Sequence, residues 1–163
     1  MRSKPQQKLS KSAIKAWRVS LSIFMFFMIA IPVSLWGYSI LTPSGSGFSP
    51  WMLIAISVVI LVLAGLAILF IPEIRWQRWY YQVDEHEIDL QSGIIFITRT
   101  LVPVKRVQHV DTRQGPILRS YNLADVTIST AATTHRIPAL DEETADQVRN
   151  KISKFARLAE EDV

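Results

Sequence analysis

A transmembrane α-helical hairpin, followed by a small antiparallel β domain capped by a carboxyl-terminal helix, is the fold class this sequence predicts. Three observations predict it. No Asp, Glu, Lys, Arg or His occurs from Val19 to Pro72, although both flanks are richly charged. Beyond Pro72, short β-rich runs alternate with turn residues. Near the carboxyl end, Ala145, Val148, Ile152, Phe155 and Ala159 recur at helical spacing.

The charge-free tract holds two apolar runs, 19–41 and 51–71. At a rise of about 1.5 Å per residue, each is long enough for a hydrocarbon core roughly 30 Å thick. The first is too long for the apolar region of a signal peptide, and no small-residue cleavage site precedes a polar mature start. Pro32 and Gly37 are tolerable in lipid and predict a kink rather than a break. The connecting "TPSGSGFSP" is rich in breakers and predicts a tight turn between antiparallel helices. Neither span contains an ionisable residue, which argues against a proton or ion pathway.

Three segments follow: a basic amino-terminal stretch at 1–18, the helical hairpin at 19–71, and a domain with a short acidic tail at 72–163. The first carries Arg2, Lys4, Lys8, Lys11, Lys15 and Arg18 and no acid, the connecting turn carries no charge, and Arg75 and Arg78 follow the second span. Basic residues stay on the cytoplasmic side, so both termini are expected there, in an inner or plasma membrane. The basic stretch reads first as this topology signal and second as a clamp on anionic lipid. Trp17, Trp36, Tyr38 and Trp51 fall near span ends, where amphipathic rings favour the headgroup layer; Trp79 to Tyr81 suit either that layer or the next domain's core.

The formal charge of +4 is misleading as a sign of nucleic-acid binding. From Val19 onward, twelve basic residues face all fourteen acidic ones. A domain without surplus positive charge lacks the main source of affinity for phosphate backbones. The absence of cysteine excludes disulfides, thiolate metal sites and thiol catalysis.

In the domain, "RWYYQV" is strand-like, and "IDLQSGIIFITRTLVP" reads as two strands meeting at Ser92-Gly93, the second buried for much of its length. A turn is expected at Val102 to Arg106, because Pro103 lacks a ladder donor. A strand starts near Val107, with His109, Asp111 and Arg113 on its outward face. Gly115-Pro116 breaks it before a short irregular or helical piece. Strands follow at Val126 to Thr130 and at "THRIPAL". Asp141 then suits an N-cap, with Glu142 and Glu143 at the positive end of the helix dipole.

The order "RWYYQV…IDLQSGII…RTLVPVKRVQHVDTRQGPILRSYNLADVTISTA…IPAL" resembles the bacterial pleckstrin-homology-like (PH-like) domain of the second type, found in small YdbS-like membrane proteins. The matching positions include Gly93, Pro103, Arg106, Gln108, Gly115, Pro116, Leu118, Arg119, Leu123, Ala124, Thr130 and Ala131, and the likeness runs from Trp76 to about Leu158. Where such proteins often have glycine, this chain has Ala132, so its turn is expected to differ. The resemblance implies a partly open, strongly bent antiparallel β-barrel capped by the terminal helix. It also implies a partner, a larger membrane protein with repeated PH-like domains, and a role in envelope stress tolerance. It brings no catalytic mechanism.

The residues themselves give no stronger chemistry. His86, His109 and His135, with Asp84 or Asp111, lack any recognisable ligand spacing, so no metal is expected. No serine sits in a nucleophile elbow, no glycine-rich turn offers a phosphate cradle, and neither Asp89 nor Asp111 has a second carboxylate to work with. No cofactor or enzyme activity is expected. Assembly with another membrane protein through a sheet edge and loops is the first reading. Binding of anionic lipid headgroups is the alternative, with Lys105, Arg106, Arg113 and Arg119 as the basic cluster, aided by Arg99. Lys105, Arg106, Gln108, Arg113 and Arg119 are the candidate contacts for partner or headgroup.

Overall fold

The computed structural model describes residues 5–42 and 49–161. The connecting turn expected at 42–50 therefore lies largely outside the described residues. The chain divides into two compact units, Trp17–Pro72 on one side and Met1–Ala16 with Glu73–Val163 on the other.

The first unit is built from two long helices, α1 (Ser12–Leu41) and α2 (Pro50–Arg78), whose outer ends continue into the second unit. Arg18, near the start of α1, donates through Nη2 to the carbonyl of Leu69, near the end of α2, at 3.5 Å, so the two run antiparallel. α1 passes through Pro32 and Gly37 without a break. Met28, Ile31 and Leu35 share an apolar hollow with Met52, Leu53 and Ile56. The hydroxyls of Ser22, Ser34 and Ser57 donate to carbonyls of their own helices, which spares them an orphaned polar group in lipid. Only 6% of the most apolar window of each helix is buried, which excludes the core helix of a water-soluble protein. Phe26 is 70% exposed. So large a continuous apolar surface is stable only against lipid.

The second unit holds two antiparallel sheets. One has the order β1 (Gln7–Lys8), β2 (Tyr80–Val83), β3 (Glu87–Ser92), β4 (Thr98–Pro103). The other has the order β5 (Val107–Arg113), β6 (Leu123–Thr130), β7 (Thr134–Asp141). A 3-10 turn at Val104–Arg106 leads from β4 into β5, where the sequence placed it. β4 and β5 are not paired with each other, so the expected barrel is corrected to two separate sheets. A short helix, α3 (Pro116–Ser120), follows β5, and α4 (Glu142–Glu161) ends the domain.

α4 packs against β5, β6 and β7 of one sheet, against β2 of the other, and against the 3-10 turn between them. Its Ala145, Val148 and Ile152 are buried, the apolar stripe expected from their spacing. Ile88, Val104, Leu123, Val126, Ile128, Ile137 and Leu140 complete the core. Burying a side chain of this size contributes about 1.5–3 kcal/mol before entropy is counted. The Asp141 carboxylate accepts from the Ser10 hydroxyl at 2.8 Å, and the first amide of α4, that of Glu142, donates to the Asn122 carbonyl.

Two further readings need correction. Ile94 to Ile97, read as the start of a buried strand, form an exposed loop, and β4 begins only at Thr98 with most of its residues exposed. The amino-terminal segment is more than a charge signal: Lys8 lies opposite Tyr80 and Gln7 opposite Tyr81, adding an edge strand. Leu9 is buried, and the Trp76 indole donates to its carbonyl at 3.0 Å. Lys8 lies over the rings of Trp76 and Tyr80, at 5.1 and 5.3 Å. Trp79 and Tyr81 are buried in the domain and so are not interfacial anchors.

Candidate functional site

The site is an open cleft of about 1080 Å³ between the edge of β4 and the start of β5. Its walls are Thr100 to Pro103 of β4, Lys105 and Arg106 of the 3-10 turn, Val107 to His109 of β5, and the β6–β7 turn with Thr130 to Thr133 and His135. It exists because the chain leaves one sheet at Pro103 and enters the other at Val107 without the two strands closing up. Pro103 cannot donate to a ladder, and Val104 is fully buried and pins the corner.

A β-bulge shapes the second wall. Val107 lies opposite Thr130 and His109 opposite Ser129, so Gln108 is the extra residue. A bulge bends its strand and raises its twist, and both Gln108 and His109 are exposed as a result. Beyond it Asp111 and Arg113 take the outward positions expected from the alternation.

The β6–β7 turn that forms the floor is closed by its own threonines. The Thr130 amide and hydroxyl both donate to the Thr133 carbonyl, at 2.9 and 2.8 Å, and the Thr133 amide donates back to the Thr130 hydroxyl at 3.1 Å. Ala132, standing where glycine is common, keeps a negative φ, so this turn has no need of a left-handed residue. The Thr133 hydroxyl lies 2.9 Å from His135 Nε2.

Of the expected contact residues, the cleft brings together Lys105, Arg106 and Gln108, all exposed. Arg113 is at the far end of β5, opposite Asp125, and Arg119 is on α3; neither lines the cleft. Arg99 is engaged elsewhere. Its Nε donates to both carboxylate oxygens of Asp89, at 3.0 and 2.9 Å, diagonally across the β3–β4 pair. That hydrogen bonding holds the Arg99 guanidinium charged beyond its ordinary range. The turn Thr130 to Thr133 and His135 were missed from sequence. The only signal was that the β6–β7 turn returns to the level of Val107.

The cleft has two chemical characters. Each of its long walls is a strand hydrogen-bonded on one side only, β4 to β3 and β5 to β6. Its lining side chains include Lys105, Arg106, His109 and His135 and no carboxylate. Among the described residues no group of three His, Asp or Glu is arranged to hold a metal ion.

A family model described as "Bacterial PH domain" matches residues 19–156. The chain is also 44% identical, over 168 aligned positions covering the whole of both proteins, to the UPF0699 transmembrane protein YdbS of Bacillus subtilis (strain 168). No solved structure matches. A relative named as a transmembrane protein and matched along its whole length, two helices whose surfaces suit lipid, and a domain of paired antiparallel sheets under a terminal helix agree with one another. The chain belongs to the bacterial PH domain family, as a membrane protein with a PH-like domain.

Proposed function

We propose that the chain is a non-enzymatic, membrane-anchored interaction module that assembles with a larger membrane protein carrying PH-like domains. The observation that supports this reading is the open cleft, where β4 and β5 each present a backbone edge. A partner strand or loop that adds to such an edge gains main-chain hydrogen bonds, while flanking side chains select it. Lys105, Arg106 and Gln108 are placed to make that selection. The basic amino-terminal segment and Arg75 and Arg78 favour a bacterial inner membrane with both termini on the cytoplasmic side. The test is affinity purification of the full chain from native membranes in mild detergent. A larger membrane protein should be recovered in fixed stoichiometry, and the double variant Lys105→Glu, Arg106→Glu should lose it about tenfold or more. The pair Arg113→Glu, Arg119→Glu, outside the cleft, should retain it. A chain recovered alone overturns the reading.

The second reading, binding of an anionic lipid headgroup, is favoured by the cleft's four nitrogen-bearing basic side chains without an accompanying carboxylate. The tether raises the effective concentration of headgroups around such a site.

A further inference from the structure

Four large apolar side chains stand in a row on the outside of the domain. In the β3–β4 loop Ile94 is 38% exposed, Ile95 81%, Phe96 84% and Ile97 58%. The loop is held tightly in shape. Gly93 has φ +143, and a Cβ there would overlap the carbonyl of Phe96, so the turn closes too tightly for any other residue. A water-soluble surface disfavours such a run, and among the described residues nothing in the domain covers it.

What covers it follows from the topology. β2 starts at Tyr80, directly after α2 ends at Arg78, and β3 pairs with it antiparallel, with Tyr80 opposite Gln91. β3 therefore runs back toward the helix end, and the loop after it returns to the level of Arg78. An Arg78 guanidinium nitrogen donates to the Ile94 carbonyl. Arg78 lies about two helical turns beyond Ile71, where the apolar span ends, a distance of about 10 Å. The headgroup layer on each side of the hydrocarbon is about 5–7 Å thick, so Arg78 stands at its outer edge and the loop beside it faces the bilayer.

We propose that Ile94 to Ile97 form a wedge that enters the leaflet the domain faces, with Ile95 and Phe96 deepest among the acyl chains and Arg78 at the outer edge of the headgroup layer. The wedge is a lipid-binding element separate from the cleft. It adds a further point of attachment to the two helices and fixes the cleft's orientation at the bilayer surface. Its apolar chemistry makes it indifferent to headgroup charge, in contrast with Lys105 and Arg106.

The chain has no cysteine, so single-cysteine variants give unambiguous labels. Full-length Ile95→Cys and Phe96→Cys, carrying an environment-sensitive fluorophore, are placed in lipid nanodiscs of phosphatidylethanolamine and phosphatidylglycerol. Quenching by a lipid with a nitroxide on its acyl chain is compared with quenching by aqueous iodide. Leu61→Cys, on the exposed face of α2, sets the lipid end of the scale, and Glu143→Cys, at the start of α4, the water end. The labels at 95 and 96 should be quenched several-fold more by the lipid nitroxide than by iodide, near the Leu61 ratio. A ratio matching Glu143 overturns the proposal, as does protection from both quenchers, which would mean that a second copy covers the loop. In Ile97→Cys, adding Ile95→Glu and Phe96→Glu should make the label iodide-accessible while thermal unfolding stays cooperative. A water-like Leu61 label would instead show that the helices do not span the bilayer.

Discussion

The carboxylate of Asp125 accepts the backbone N–H of Ala139 at 2.8 Å, across a break in the β6–β7 ladder. Val126 lies opposite Ile137 and Ala124 opposite Leu140, so Asp125 alone faces both Pro138 and Ala139. Pro138 has no N–H to offer, and Ala139 takes the left-handed value φ +50. The side chain of Asp125 thus replaces the ladder bond that the bulge removes. Its other oxygen accepts from Arg136, and the residue is only 2% exposed. Removing the carboxylate would leave a buried amide without its acceptor and Arg136 without its partner. Asp125→Ala should destabilise the domain by about 1–3 kcal/mol, the scale for a buried amide left without its acceptor, while the Arg136 side chain, 63% exposed, turns to water. Asp125→Asn keeps an acceptor and should cost roughly half as much. Thermal unfolding of the full chain in detergent, with the two variants side by side, measures both.

Asp89 is 7% exposed and receives a fork of donors from Arg99. This pair ties β3 to the strand that forms one wall of the cleft. Arg99→Ala should lower the unfolding temperature, because it leaves the carboxylate buried with fewer donors. Arg99→Lys should recover only part of that, since an ammonium cannot match a carboxylate with two parallel bonds. A double-mutant cycle with Asp89→Asn should show positive coupling, and additive single effects would contradict the pairing.

Tyr81 is buried, and that burial, helped by the nearby Asp141 charge, raises its phenol above the ordinary value of 10.0. In the unfolded chain the phenol ionises at its ordinary value, so above it the unfolded state loses a proton that the folded state keeps. The contribution to stability is complete below pH 10.0 and is lost as the pH rises through the folded-state value. Urea unfolding at pH 8 to 11 should show a fall in stability above pH 10 that is shallower in Tyr81→Phe than in the wild type. Parallel curves would remove Tyr81 as a cause.

The parts of this fold legible in the sequence are those where one physical constraint acts alone. The spans show because a charge cannot be spared in hydrocarbon, and α4 shows because Ala145, Val148 and Ile152 must share one face. The outward row His109, Asp111, Arg113 shows for the same reason at period two. Ile94 to Ile97 failed because a continuous apolar run has no period, and the sequence cannot say which solvent it faces. β1 failed because two residues carry no propensity signal, and only the fold supplies Tyr80 and Tyr81 as partners. Asp125 reads in sequence as one more surface carboxylate near a basic cluster, since a bulge depends on a register that exists only after pairing. The same holds for the barrel. Whether β4 and β5 join is decided by the corner at Val104, and no local pattern reports that.

Lys105 and Arg106 line the cleft and Arg113 and Arg119 do not, which separates two halves of what was one basic cluster in sequence. If headgroups occupy the cleft, anionic lipid binds the folded state and must raise its stability by mass action. Each basic residue at the membrane surface contributes about 1 kcal/mol, so the pair supplies about 2 kcal/mol. For a domain of this size, at about 4–8 °C per kcal/mol, that is a shift in Tm on the order of 10 °C. The full chain should therefore unfold at a higher temperature in phosphatidylglycerol nanodiscs than in phosphatidylcholine ones. Lys105→Ala with Arg106→Ala should abolish most of that difference, while Arg113→Ala with Arg119→Ala should preserve it. Added salt should shrink the wild-type difference, because exposed charges are screened within about 10 Å at 0.1 M. Equal loss in both double variants would mean that the domain's overall charge, rather than the cleft, responds to the lipid.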